Sequence, residues 1–140
     1  MKFAIAAICA AALLAPAALA ESTATPSAQG AKVFIIEPKD GATVSSPLTV
    51  KFGISGMEIA PAGTDKANTG HHHLLIDTKL ADPAAAIPAD ANHIHYGKGQ
   101  TEAVIELAPG PHTLQLLLGD KNHIPHNPPV MSDVITVTVK

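Results

Sequence analysis

The stretch Gly70-His71-His72-His73-Leu74-Leu75-Ile76-Asp77 places three consecutive histidines at the start of an apolar, strand-like segment. Side chains alternate between the two faces of a strand, so His71 and His73 would share one face and His72 would share the other with Leu74 and Ile76. Two more clusters follow, His93-Ile94-His95 and His123-Ile124-Pro125-His126, so seven of the eight histidines lie in three places. Histidine is the commonest metal ligand in proteins. The fold therefore decides whether these clusters meet.

Short alternating segments on both sides of this stretch predict an all-β protein. In residues 48–54 the apolar positions alternate, and Leu114, Leu116 and Leu118 repeat the pattern. Turn signals rich in glycine, proline and aspartate separate such segments. We predict an immunoglobulin-like β-sandwich of six to seven strands. The predicted strands lie at residues 32–36, 48–54, 72–76, somewhere within 78–92, 101–107, 112–118 and 134–139.

The first 20 residues have the features of a secretory signal peptide. Lys2 precedes an apolar run that ends in Ala18-Leu19-Ala20, which predicts cleavage before Glu21. A transmembrane anchor fits less well, because the run is rich in alanine and ends in a cleavage pattern. Residues 21–31 are predicted to form a flexible linker, and residues 32–140 a single histidine-rich domain. We therefore expect a periplasmic or secreted protein with no membrane span in its mature form.

The composition excludes several classes of partner. Cys9, the one cysteine, lies inside the predicted signal peptide, so the mature protein would form no disulfide. The nine basic residues are all lysines, the formal net charge is -3, and no basic run occurs, so nucleic acid is not an expected partner. Tyr96 and three phenylalanines are the only aromatic residues, too few for a platform that stacks sugars or bases.

The predicted sandwich brings the three histidine clusters to one end. The loops after the second, fourth and sixth strands share one end of such a fold, and each cluster lies in or beside one of these loops. We therefore predict a metal site formed by six histidines: His71, His73, His93, His95, His123 and His126. His112, at the start of the sixth strand, is expected at the opposite end. His72 is expected to be buried in the core.

The ligand types favour copper or zinc as the ion. Imidazole suits both metals, and the thioethers of Met57 and Met131, which fall near the same end, would extend the set to copper in either oxidation state. Asp120, in the loop that carries His123 and His126, is a further candidate for an auxiliary role at the metal site. Protons compete with the metal for imidazole, so uptake is expected to weaken below about pH 6. Copper is expected to bind more tightly than zinc at equilibrium.

Two other functions remain open. The protein could be a non-catalytic structural or protein-interaction module with no bound metal, in which the histidines bond to backbone groups and the partner is another periplasmic protein. A small metal-dependent enzyme is less favoured. The chain has no Gly-x-Ser-x-Gly motif, no cysteine nucleophile and no glycine-rich phosphate loop, and we name no catalytic residue.

The histidine motifs also resemble those of a known family. Gly70 to Asp77, Asn92 to Glu102 (NHIHYGKGQTE), and His112 to Ser132 (HTLQLLLGD, NHIPH and PPVMS) are similar to the bacterial domain-of-unknown-function family 4399. The resemblance covers about Val33 to Lys140. It implies a small exported bacterial domain and assigns no catalytic residue.

Overall fold

A computed structural model describes residues 24–140, so the predicted signal peptide lies outside the described residues. Within that range the chain forms nine strands and no helix, and so nothing helical there is long or apolar enough to span a membrane. The strands are β1 (Lys32–Glu37), β2 (Thr43–Val44), β3 (Leu48–Ser55), β4 (Glu58–Ile59), β5 (Thr69–Ile76), β6 (His93–Tyr96), β7 (Glu102–Ile105), β8 (Gly110–Gly119) and β9 (Ile135–Val139).

Two sheets enclose one main hydrophobic core. The smaller sheet has the order β1-β3-β7, and the larger has the order β2-β9-β8-β5-β4, with β6 also paired to β5. Alternate residues point into the core, among them Val50 and Phe52 of β3 and Leu114 and Leu116 of β8. This is the alternation expected of strands that bury one face. The predicted all-β, immunoglobulin-like sandwich is confirmed.

The central strand of the larger sheet, β5, is buried at all eight positions. One of its faces, with Leu74 and Ile76, packs into the main core. The opposite face points away from the smaller sheet, and there Leu75 packs against Ile87 in a second hydrophobic cluster. Ile87 belongs to the segment 77–92, which therefore covers the outer face of the larger sheet. His71 and His73 lie on this covered outer face.

The fourth strand predicted within 78–92 does not form, and this expectation was wrong. Pro83 and Pro88 lack the N–H groups that a strand would use. The next strand is instead β6, which pairs antiparallel with β5 and so extends the larger sheet. His93 and His95 therefore lie in a strand beside β5 and not in a loop at the end of the sandwich.

Residues 24–31, which fall within the predicted linker, make several hydrogen bonds to the rest of the chain. The carbonyl of Thr25 accepts a hydrogen bond from the N–H of Asn127 (2.9 Å), and the N–H of Ser27 donates to the carbonyl of Asn127 (3.1 Å). The Ser27 hydroxyl donates to the carbonyl of Pro128 at 2.8 Å. These contacts tie the segment to the loop between β8 and β9.

Candidate metal centre

Four histidines from three parts of the fold bring their ring nitrogens together. His71 and His73 come from β5, His95 from β6, and His123 from the loop after β8. One nitrogen from each ring lies within 4.8 Å of one nitrogen from every other ring. No other group of three or more His, Cys, Asp or Glu side chains in residues 24–140 converges in this way.

Strand register places three of the four rings side by side. His73 lies opposite His95 in the antiparallel pair of β5 and β6. His71 precedes His73 by two residues, so both side chains point to the same face of the sheet. On the other side of β5, Gly119 of β8 lies opposite His71. The alternation in both histidine-bearing strands, together with their register, therefore creates the cluster.

Two glycines make room for the rings. A Cβ atom at Gly119 would lie 2.7 Å from Nε2 of His73 and 3.4 Å from Cε1 of His71. A Cβ atom at Gly97 would lie 2.6 Å from Nε2 of His95. Real Cβ atoms essentially never come within 3.0 Å of another atom, so a side chain at Gly119 would displace the buried ring of His73. At Gly97 the exposed ring of His95 would have to move aside. The sequence analysis did not identify the role of these two glycines, because a glycine at or just after the end of a strand is usually interpreted as part of a turn.

The ring nitrogens contact one another directly. Nε2 of His71 lies 3.0 Å from Nε2 of His73 and 3.1 Å from Nδ1 of His123. A neutral imidazole nitrogen carries one proton or presents one lone pair, so Nε2 of His71 cannot fully satisfy both neighbours. At least one lone pair is therefore directed into the cluster. A metal ion would accept a lone pair from each ring at once.

The spacing of the nitrogens suits a small ion. In a tetrahedral site with metal–nitrogen bonds of about 2.0–2.1 Å, neighbouring nitrogens stand roughly 3.3 Å apart. The two shortest nitrogen pairs, 3.0 and 3.1 Å, are close to this value. Three of the nitrogens belong to strands of one sheet and the fourth to the loop after β8, so the site is largely preformed.

Burial keeps the two β5 ligands uncharged. His71 and His73 are each 1% exposed. Burial, together with the neighbouring imidazoles of the cluster, lowers the pKa of His71 to about 4 and that of His73 to about 3. Burial and the charge of His123 also lower the pKa of His95, although its side chain is exposed. Neutral imidazole is the form that binds a metal, so these ligands are ready at neutral pH.

The structure places the other two predicted ligands, His93 and His126, outside this group. Nδ1 of His93 pairs with the Asp90 carboxylate at 2.8 Å. Nε2 of the buried His126 donates to the carbonyl of Thr69 at 3.1 Å. Neither ring contributes a nitrogen to the four-histidine cluster.

The remaining two histidines occupy the positions expected of them. His112 lies near the opposite end of β8 from Gly119, where its ring bonds to the Asp77 carboxylate and the Ala108 carbonyl, both at 2.7 Å. His72 is fully buried in the main core against Phe52, with ring centroids 5.1 Å apart. Neither belongs to the cluster.

The three auxiliary candidates have structural surroundings. Met57 packs in the main core, and Met131 packs against the second hydrophobic cluster on the outer face of the larger sheet. Both are the gap-filling positions that methionine commonly takes. Asp120 bonds to the backbone of its own loop, where its Oδ1 accepts from the N–H groups of Asn122 (2.8 Å) and Ile124 (3.0 Å).

The fold and the cluster define a β-sandwich domain with a candidate four-histidine metal centre. The chain belongs to the family described as "Domain of unknown function (DUF4399)", which matches residues 50–140 and so includes all four histidines. No curated protein matches the chain significantly. A solved structure titled "Structures of Clostridium thermocellum CbhA fibronectin(III)-like modules" is similar at 14% identity and a TM-score of 0.39, over 78% of this chain and 45% of that chain. The present chain thus spans less than half of that neighbour's length.

Proposed function

We propose that this protein is a periplasmic metal-binding module that holds one late first-row transition-metal ion with His71, His73, His95 and His123. The observation that carries the proposal is the convergence of four ring nitrogens within 4.8 Å, two of them on buried rings. Burying two imidazoles so that their nitrogens crowd together is unfavourable unless a shared partner satisfies them. The periplasmic location rests on the signal-peptide pattern of the first 20 residues.

Copper is the preferred ion in this proposal, with zinc next. Intrinsic affinities for nitrogen sites rise along the first row to Cu(II) and fall again at zinc. Met57 and Met131 pack in hydrophobic clusters, which leaves an all-nitrogen donor set. Such a set favours Cu(II) and Zn(II) over the softer Cu(I), which thioethers and thiolates select.

A non-catalytic interaction module without metal is the second candidate. The contacts from His71 to His73 and to His123 favour it, because hydrogen bonds among the rings could simply fasten the loop after β8 to the sheet. The two candidates differ in one measurable property. Only the metal-binding module takes up one ion per chain with an affinity above that of scattered surface histidines.

Competition titration of the tag-free protein against a chromophoric chelator tests the proposal. We expect one Cu(II) per chain, bound more tightly than Zn(II). Its dissociation constant should lie well below the ~micromolar value of adventitious histidine sites. His95→Ala should weaken binding at least about tenfold, because it removes an exposed ligand without disturbing the core. His93→Ala is the matched control, two residues away on the same strand, and should leave the affinity unchanged.

Two results would overturn the proposal. One is a wild-type protein that binds Cu(II) and Zn(II) no better than about micromolar. The other is an equal loss of affinity in the His93 and His95 variants, which would place the bound ion elsewhere. The electron paramagnetic resonance spectrum of the Cu(II) form gives an independent check, since an all-imidazole site shows nitrogen couplings that His95→Ala should alter.

A further inference from the structure

A buried carboxylate holds the loop that carries His123. Asp120 is 1% exposed, and its Oδ1 accepts hydrogen bonds from the backbone N–H groups of Asn122 and Ile124, the residues on either side of His123. His123 itself has a φ of 63°, in the left-handed region that favours glycine. The N–H of His123 donates to the carbonyl of Asp120 at 2.9 Å. Asp120 therefore fixes the backbone from which Nδ1 of His123 reaches His71.

The second oxygen of the same carboxylate is bound by the N-terminal segment. The Thr25 hydroxyl donates to Oδ2 of Asp120 at 2.8 Å. The backbone of Thr25 is in turn held by the N–H of Asn127, from the same loop between β8 and β9. A residue about 95 positions away in the sequence thus completes the support of His123.

Charge gives Asp120 a second effect on the centre. Four neutral imidazoles bring no negative charge to a dication, so a nearby buried carboxylate would offset part of it. Asp120 directly follows Gly119, the residue that faces the rings of His71 and His73. The Asp65 carboxylate, by contrast, lies at the surface and pairs with Lys121 at 2.8 Å.

We propose that Asp120 is the positioning residue of the metal centre, that Thr25 completes its support, and that its charge favours divalent over monovalent ions. This inference rests on the proposed metal-binding function. It assigns residues 24–27, which precede the sandwich in sequence, to the architecture of the site.

The test measures the affinities of Zn²⁺ and Ag⁺ for the purified protein and four variants. Asp120→Asn should lower the Zn²⁺ affinity roughly 10- to 100-fold, the usual effect of removing a group that orients a metal ligand, and should lower the Ag⁺ affinity less. Thr25→Val should lower both affinities by a smaller and similar factor, roughly three- to tenfold, because the carboxylate stays in place. The controls are Asp65→Asn, which removes an exposed carboxylate beside the same loop, and Thr49→Val on the exposed face of β3. Both should match the wild type.

Each outcome decides a separate point. A wild type that binds neither ion defeats the proposed function itself. Wild-type binding with Asp120→Asn equal to Asp65→Asn overturns the positioning role. An equal loss of Zn²⁺ and Ag⁺ in Asp120→Asn overturns the charge effect. If Asp120→Asn does not fold, Thr25→Val decides: an unchanged Zn²⁺ affinity overturns the role, and a loss relative to Thr49→Val supports it.

Discussion

Gly119 lies so close to His73 that a Cβ atom at position 119 would stand 2.7 Å from the Nε2 atom of the histidine ring. The ring of His73 thus occupies the space that any larger residue on β8 would fill. The same position is opposite His71 in the strand register. One missing side chain on β8 is therefore what allows two adjacent imidazoles of β5 to turn toward His95 and His123.

Gly119→Ala should weaken metal binding at least about tenfold. The added methyl group would displace Nε2 of His73, and a misplaced ligand lowers affinity as strongly as a lost support does. Gly119 has no positive φ, so alanine introduces no backbone strain of that kind. Chelator competition with Cu(II) measures the effect.

Gly53→Ala provides a matched control for this variant. Gly53 also lies in a strand without a positive φ, and a Cβ atom there would overlap the ring of Phe34. Phe34 is 45% exposed, so its ring can swing into solvent. The Gly53 variant should keep the wild-type Cu(II) affinity. An equal loss in both variants would show that the site responds to general loosening of the fold and not to the position of His73.

The sequence predicted the sandwich and the convergence of histidines, but the convergence arises in a different way. Clustering in three places was enough to suggest a common site, and four of the six named ligands meet. Their convergence depends on the pairing of β6 with β5. The shared face of His93 and His95 is compatible with such a strand, but the sequence analysis placed both residues in a loop. His126 could not be excluded from sequence, because its bond to the carbonyl of Thr69 is a long-range contact.

Two further features depend on contacts between distant residues. Thr25 lies in a stretch whose composition is typical of a linker, and only its bond to Asp120 reveals its structural role. The segment 77–92 has no strand or helix period, yet Ile87 covers the outer face of β5. Local patterns carry no information about such contacts, since each residue has little intrinsic preference for its final position.

Zn²⁺ binding at pH 6 should release few protons. Four histidines with unperturbed pKa values near 6.5 would release about three protons on binding at this pH. Because burial lowers the pKa of His71 to about 4 and that of His73 to about 3, these two rings are already neutral. We expect a release clearly smaller than three protons, measured by calorimetry in buffers of different ionisation enthalpy. A release near three would contradict the burial of the two ligands.

This prediction replaces the steep loss of uptake below pH 6 that unperturbed histidines would give. With His71 and His73 neutral down to about pH 4, affinity should decline more gradually between pH 6 and pH 5. Titrations of His95→Ala at the same pH values test the explanation, because that variant retains both buried ligands.

The metal-free protein should lose stability on acidification. His72 has a pKa of about 4 in the folded protein because of burial, against about 6.5 when unfolded, so the unfolded chain binds more protons between these values. The free energy of unfolding is then highest above about pH 6.5 and falls as the pH approaches 4. This one group contributes about 3 kcal/mol to the fall. His71 and His73, whose pKa values burial also lowers, add to the fall in the wild type, so the difference between wild type and His72→Leu in urea denaturation from pH 7.5 to pH 4.5 measures the share of His72. An equal fall in both proteins would contradict the assignment.

His112 should show the opposite shift. A hydrogen bond from its ring to the Asp77 carboxylate raises its pKa, helped by the carbonyl of Ala108. The pair therefore stabilises the fold below the unfolded pKa of about 6.5, and this contribution is lost as the pH rises through the folded value. Asp77→Asn should bring the pKa of His112 down, as followed by NMR titration. Asparagine tolerates the positive φ of 54° at this position, so the change in the pKa of His112 should not come from a distorted backbone.

Replacement of His72 by leucine should stabilise the protein. His72 is 0% exposed, and neither Nδ1 nor Nε2 has a hydrogen-bond partner. A buried polar atom without a partner costs about 1–3 kcal/mol, whereas leucine would fill a similar space among apolar neighbours such as Phe52. We expect His72→Leu to raise the free energy of unfolding by about 1–3 kcal/mol at pH 7.5, and by more at pH 5, where the unfolded wild type gains a proton. His112→Leu is the contrast, since it breaks the bond to Asp77 and should give no gain. Urea denaturation of both variants without metal measures the difference. A destabilised His72 variant would mean that the ring contributes something in the core that these contacts do not reveal.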